Sequence, residues 1–144
     1  MNRAGFTLVE ILVVVVILGI LAAIVVPQFS GAGTETRTSA LSVDLRRVRS
    51  QIELYKFQHN EQLPAATGET AADFERRMTS QTDANGNAGT DFGPYLQRIP
   101  VNPFSDLTTV RIDGAAAGAN TDGWRFDTIK GAFQADDSVA HAAF

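Results

Sequence analysis

The chain has 144 residues, with 12 Lys and Arg against 16 Asp and Glu, 2 His, no Cys and a formal net charge of −4. Without cysteine there are no disulfide staples or thiolate metal sites, and the mild acidity argues against the basic patch or stripe of a nucleic-acid footprint. His59 and His141 lie far apart and no glycine-rich phosphate loop is present, so neither a nucleophilic triad nor a nucleotide site assembles, and no enzyme is expected.

The first element is the most informative. Residues 6–26 form one apolar run with a single acid, Glu10. About 20 apolar residues at ~1.5 Å rise suffice for a helix to cross a bilayer core of ~30 Å. A carboxylate in such a helix is costly, about 2.5–3.5 kcal/mol for Asp at its centre, so Glu10 calls for a partner. A new amino terminus created between Gly5 and Phe6 would supply one, because the amine lies near the depth of Glu10 and is best placed to meet the acid of another subunit. Such a pair neutralises both charges and sets an axial register. Two other readings stay open: a secretory signal cut near Ala22-Ala23, although the apolar run continues to Val26, and a plain anchor that tolerates Glu10. Arg3 and the leader amine place the short N-terminal flank in the cytoplasm and the bulk of the chain on the periplasmic or outer side.

Arg3-Ala4-Gly5 followed by Phe6-Thr7-Leu8-Val9-Glu10 resembles the class III signal of type IV pilins and type II secretion pseudopilins. The resemblance implies that residues 1–5 are a leader, that a prepilin peptidase cuts after Gly5 and methylates Phe6, and that Phe6 and Glu10 guide subunits into a filament. It also implies partners: further copies of the chain, an inner-membrane assembly platform with its ATPase, minor pilins or pseudopilins, and the membrane before assembly. No nucleic-acid partner is expected for a pseudopilin. Many type IVa pilins carry a disulfide-bounded loop near the C-terminus; this cysteine-free chain departs from them, which favours the pseudopilin branch.

Pro27 removes a helical hydrogen bond and clashes one turn back, and Gly19, Gly31 and Gly33 each weaken a helix by about 1 kcal/mol relative to Ala. Gly19 and Pro27 thus mark a stretch expected to bend, or to melt locally as subunits pack. A second helix is predicted from about Ser39 to His59, continuous in direction with the first, because Leu41, Leu45, Val48, Ile52 and Tyr55 recur at helical steps. Arg46, Arg47 and Arg49 read as a solvated face that pairs with acids of neighbouring subunits. His59 reads as a helix-end residue touching the core, and Pro64 stops the helix at the latest.

A short helical patch is expected around Ala71–Met78, with Phe74 and Met78 facing inward. The stretch Asp83–Asp91 alternates oxygen-bearing residues as a calcium loop does, but Ala88 stands where the sharp-turn glycine belongs and Pro94 where the bidentate acid belongs, so a glycine-rich surface turn is the better expectation. Type II major pseudopilins bind calcium nearer their C-terminal strands. The resemblance therefore makes Asp113, Asn120, Asp122 and Asp127 the candidate Ca2+ ligands, although no cofactor is required by the rest of the sequence.

Gly93–Phe104 is too proline-rich for a helix or central strand and reads as an extended buttress with Tyr95, Leu96, Ile99 and Phe104 packed inward. Two or three short strands follow within Leu107–Asp113, Gly123–Asp127 and Ile129–Gln134, with Ile129 and Phe133 inward, Lys130-Gly131 as a turn or bulge, and Ala115–Ala119 as an exposed tip. His141 falls in an alanine-rich tail.

The expected fold is α+β: a long N-terminal helical spine, membrane-spanning in its first half, packed against a small antiparallel sheet. The domains are a leader at 1–5, a transmembrane and polymerisation helix at 6–30, and a head at 31–144 that includes the helix of about 39–60. The role best supported is major pseudopilin of a type II secretion system, single-pass in the inner membrane with a periplasmic head before it joins a filament. A surface type IV pilin for adhesion, motility or DNA uptake and a monomeric membrane-anchored binding domain are the alternatives.

Overall fold

A computed structural model describes residues 7–144, except for the side chains of residues 25–32. Its elements are α1 (Leu8–Gln58), α2 (Ala71–Thr79), β1 (Val110–Ile112), β2 (Trp124–Asp127), β3 (Ala132–Ala135) and α3 (Val139–Ala142). The chain forms two compact units, Met1–Thr36 and Arg37–Phe144. The helical assignment of α1 passes through Gly19 and Pro27 without interruption.

In the second unit, the predicted stripe is the floor of the core: Leu41, Leu45, Val48, Ile52 and Tyr55 are each at most 1% exposed. Steps of four and three residues keep these side chains on one helical face. The helix stops where Asn60 and Glu61 turn to positive φ, 52° and 65°, and Glu61 N donates back to the Lys56 carbonyl at 2.9 Å.

Across that floor lie α2 and the sheet. Thr70 and Asp73 form a capping box that starts α2, and the helix buries Phe74 and Met78. The Phe74 ring lies 4.8 Å from that of Phe126, and Trp124 stacks on Phe133 at 5.2 Å. Trp124 is fully buried, and its indole N–H donates to the Pro100 carbonyl at 2.9 Å. This bond satisfies the one polar atom that burying a tryptophan would otherwise leave unpaired. The proline-rich segment buttresses the core as expected, with Tyr95, Leu96 and Ile99 buried and Phe104 packed against them.

The sheet corrects one expectation. Its order is β1-β2-β3, but only β2 and β3 are antiparallel; β1 pairs with β2 in parallel, Val110 opposite Trp124 and Ile112 opposite Phe126. The sheet is therefore mixed. A tight turn after β1 would have forced an antiparallel hairpin, whereas the chain here spends residues 113–123 on a return loop and begins β2 beside the start of β1. Ile129 is a second correction, since it sits in the β2–β3 turn at 86% exposure instead of pointing inward. Asp127 Oδ1 accepts from the amides of Ile129 and Lys130 at 3.0 and 2.9 Å, and this local bonding draws Ile129 out of the strand.

The tail also has more structure than its alanine content suggested. Ser138 caps α3 by accepting from the His141 amide, and Arg49 reaches from α1 to the carbonyls of Phe133 and Phe144 at 2.9 and 2.6 Å. Arg49 is thus engaged within the chain, not on a free solvated face.

Candidate assembly site

The polar start of α1 is built by two residues. Glu10 N lies 3.2 Å from Thr7 Oγ1, and Thr7 N lies 3.5 Å from Glu10 Oε2, a long contact. Thr-x-x-Glu is the capping-box pattern, with the threonine as N-cap and the glutamate at the third helical position. The acid also lies at the positive end of the helix dipole. This local role of Glu10 was missed by a charge-pair reading, although Thr7-Leu8-Val9-Glu10 carried its signal. The processing residues Gly5 and Phe6 lie outside the described residues.

Beyond Glu10, every described side chain through Ile24 is exposed, including Ile11, Leu12, Ile17, Leu18, Leu21 and Ile24. Such a continuous apolar surface has no partner within the described chain, and contiguous apolar patches of this kind mark protein or membrane contacts. Gly19 belongs to the same surface, and a methyl group placed on it would meet nothing within 4 Å. Among the described residues, no helix is long and apolar enough to cross a membrane. The apolar segment Leu8–Ile24 covers about 25 Å at ~1.5 Å per residue, and the predicted span of 6–30 takes in Phe6 and the side chains of 25–30, which lie outside the description.

The calcium candidates do not converge. Asp113 turns its carboxylate to Thr128, accepting from the amide at 2.8 Å and the hydroxyl at 2.6 Å. Asp127 is occupied by its own turn and by Arg125 at 3.2 Å. The Lys130 amide, with the Ile129 amide and Arg125, holds the Asp127 carboxyl below the usual range against the opposing effect of burial. Asn120, at φ 56°, donates its amide to the Asp136 carbonyl at 2.6 Å, and Asp122 accepts from the Thr121 hydroxyl at 3.1 Å. Among the described residues, no group of three or more His, Asp or Glu side chains is placed to hold a metal.

The residue that organises this region is one the sequence reading passed over, Asp136. It is fully buried, and its carboxylate accepts from the amides of Gly118, Ala119, Thr121 and Asp122 at 3.1–3.4 Å, from the Thr121 hydroxyl at 3.0 Å and from Arg111 at 2.7 Å. Burial alone would push its pKa up, but the Arg111 and Thr121 hydrogen bonds hold it below the ordinary value. The sequence signal was faint: an acid directly after a strand, opposite an arginine in another.

The remaining polar groups are structural. His59 is buried and stacked on Tyr55 at 3.8 Å, with Nδ1 against the Tyr55 carbonyl at 2.8 Å and Nε2 against the Thr82 hydroxyl at 3.0 Å. Both ring nitrogens are satisfied, as befits a core histidine. His141 is bonded to Asp137 and packs on the Phe104 ring at 4.1 Å. In the 83–91 turn, Asp83 accepts from the amides of Asn85 and Asn87 at 2.9 Å each. Gly86, at φ 76°, lies so close to Tyr55 that a Cβ would stand 2.5 Å from its hydroxyl. The Asp83 carboxylate thus closes a turn.

Comparison with known proteins fits the N-terminal geometry. Residues 1–26 match the prokaryotic N-terminal methylation motif. The chain is similar to the type II secretion system core protein G of Pseudomonas aeruginosa, 30% identical over 135 residues that cover 84% of this chain and 92% of that one. Similar matches are the core protein G of Vibrio cholerae, 29% identical over 83% of this chain and 88% of that one, and of Klebsiella pneumoniae, 32% identical over 72% and 70%. No solved structure gives a significant match. An N-terminal methylation motif leading into a long helix, together with a small α+β head, defines the pilin-like class of subunits. Within it, this chain belongs to the type II secretion system core protein G family, the major pseudopilins. Of the three roles the sequence left open, the comparisons support the first.

Proposed function

We propose that the chain is cut between Gly5 and Phe6, methylated on Phe6, held in the inner membrane by residues 6–30 and then polymerised into a short periplasmic filament that drives folded proteins outward. The observation that carries this is the exposed apolar surface of Leu8–Ile24 with one carboxylate near its start. Lipid covers that surface before assembly and neighbouring copies cover it afterwards. Transfer between two apolar environments has little net hydrophobic cost, so polar pairing and packing set the register. Glu10 changes role in that transfer: it caps its own helix in the single chain, and in the filament it meets the Phe6 amine of a neighbour. Gly19 and Pro27 supply a stretch of α1 that unwinds at low cost when the helices pack. The subunit has a structural and not a catalytic role, and its partners are the prepilin peptidase, the assembly platform with its ATPase, and minor pseudopilins.

Glu10→Gln tests this reading. Glutamine at the third helical position still completes a capping box but carries no charge. Expected are normal membrane insertion and loss of filaments, scored by shearing and electron microscopy. Filament yield equal to the wild type would overturn the charge-pair role.

A further inference from the structure

The loop between β1 and β2, residues 113–123, is mostly Gly, Ala, Asn and Asp, a composition with little structure of its own. Two side chains divide its backbone. Asp136 takes amide donors, and the Arg111 guanidinium takes carbonyl acceptors, donating to Asp113 O at 2.7 Å, Ala115 O at 2.8 Å and Ala116 O at 3.4 Å. The two then bond each other at 2.7 Å, and Asp122 brings a second carboxylate to 3.9 Å from Arg111 Nε. Arg111 Nε is buried and makes no hydrogen bond, and the Asp122 carboxylate is within ion-pair distance of it. Gly118, at φ 91°, presses against the start of α3, where a Cβ would stand 2.5 Å from Val139 N.

Three carbonyl oxygens and two carboxylates around one positive charge are the donor chemistry that calcium uses, which takes 6–8 oxygens at about 2.3–2.6 Å. Here the three carbonyls and Asp136 meet a planar fork at hydrogen-bond distances, and Asp122 stands at 3.9 Å. The calcium that the family resemblance implies does not fit, because Asp113 and Asp127 are spent elsewhere and the central space is filled by the chain. We propose that Arg111 is the built-in cation of the 113–122 loop, so that the head of this pseudopilin folds and holds its loop without a divalent metal. Guanidinium stays charged at all ordinary pH values and binds planar arrays of oxygens in a way lysine cannot.

The test uses the full-length chain in detergent micelles and reads thermal unfolding by circular dichroism with calcium, with magnesium and with EGTA. Its readout does not depend on filaments, so this proposal and the assembly reading stand or fall separately. The wild-type midpoint should be the same in all three conditions. Arg111→Ala should lower it by about 5 °C or more, speed proteolytic cleavage within 113–122, and gain a calcium-dependent rise, because the substitution empties a cage of oxygens. Arg111→Lys should fall between the two and covers the case in which the alanine variant does not fold. A wild-type midpoint raised by calcium or lowered by EGTA would overturn the proposal, as would an Arg111→Ala or Arg111→Lys chain as stable as the wild type.

Discussion

Arg49, in the second half of α1, holds the last residue of the chain: its Nη1 donates to the Phe144 carbonyl at 2.6 Å. Its Nε donates to Phe133 at 2.9 Å, so one side chain ties helix, sheet and tail together. Burial in that position lowers the pKa of the guanidinium from its ordinary value, yet arginine remains charged at any working pH. Arg49→Ala should cost about 1.5–3 kcal/mol, the usual loss for hydrogen bonds to a charged group. Urea denaturation measures it, and hydrogen exchange should show α3 protected less. An unchanged midpoint with unchanged exchange would show that the tail is held by other contacts.

The stripe on α1 and the sheet close one core, so a fragment beginning at Arg37 should fold alone and stay monomeric. Within it, Trp124→Ala should cost about 3–5 kcal/mol, the range for emptying an aromatic core site. Chemical denaturation of the fragment and its variant by circular dichroism decides both points. A loss under about 1 kcal/mol would mean that the site collapses around the missing ring.

Acid stability should track Asp136. Its folded-state pKa lies below the ordinary 3.8, because hydrogen bonds from Arg111 and Thr121 outweigh burial. The stabilisation is therefore complete above the unfolded value, declines as pH falls past it, and is gone once pH has fallen through the folded value. Glu69 and Asp127 are shifted the same way and add to the same limb, whereas Asp44, raised by burial against a smaller effect of Arg47, works against it. Asp136→Asn should flatten the limb and cost about 3–5 kcal/mol near neutrality by removing the buried carboxylate that Arg111 meets at 2.7 Å. Denaturation series at neutral and acid pH give both quantities.

Processing is checked by mass. Membrane-extracted chain should lack residues 1–5 and carry one methyl group on Phe6, as the match of residues 1–26 to the methylation motif leads one to expect. A terminus after Ala22 or Ala23 would point to ordinary signal cleavage instead.

What was legible in the sequence was the part with a period or a motif. Leu41, Leu45, Val48, Ile52 and Tyr55 share one helical face, and all five are buried. The signal around Gly5 and Glu10 pointed to the family that the comparisons support. Illegible were relationships between distant polar residues, such as Arg111 with Asp136 and Arg49 with Phe144, which leave no periodic trace. The parallel pairing of β1 escaped because strand direction depends on the path of the loop, and Ala115–Ala119 says little about where it leads. Ile129 misled for a simpler reason: an isoleucine beside a strand looks buried until Asp127 claims the turn.

The sheet has only short borders. β1 is three residues long and β3 four, and Gln134 of β3 donates its amide to the Ala142 carbonyl at 3.0 Å. Unpaired strand edges are templates for joining another chain, and a polymer crowds identical heads at a local concentration no solution reaches. Borders this brief offer a neighbour too few backbone bonds to fuse sheet to sheet. Each head therefore keeps its own fold when copies are packed beside it.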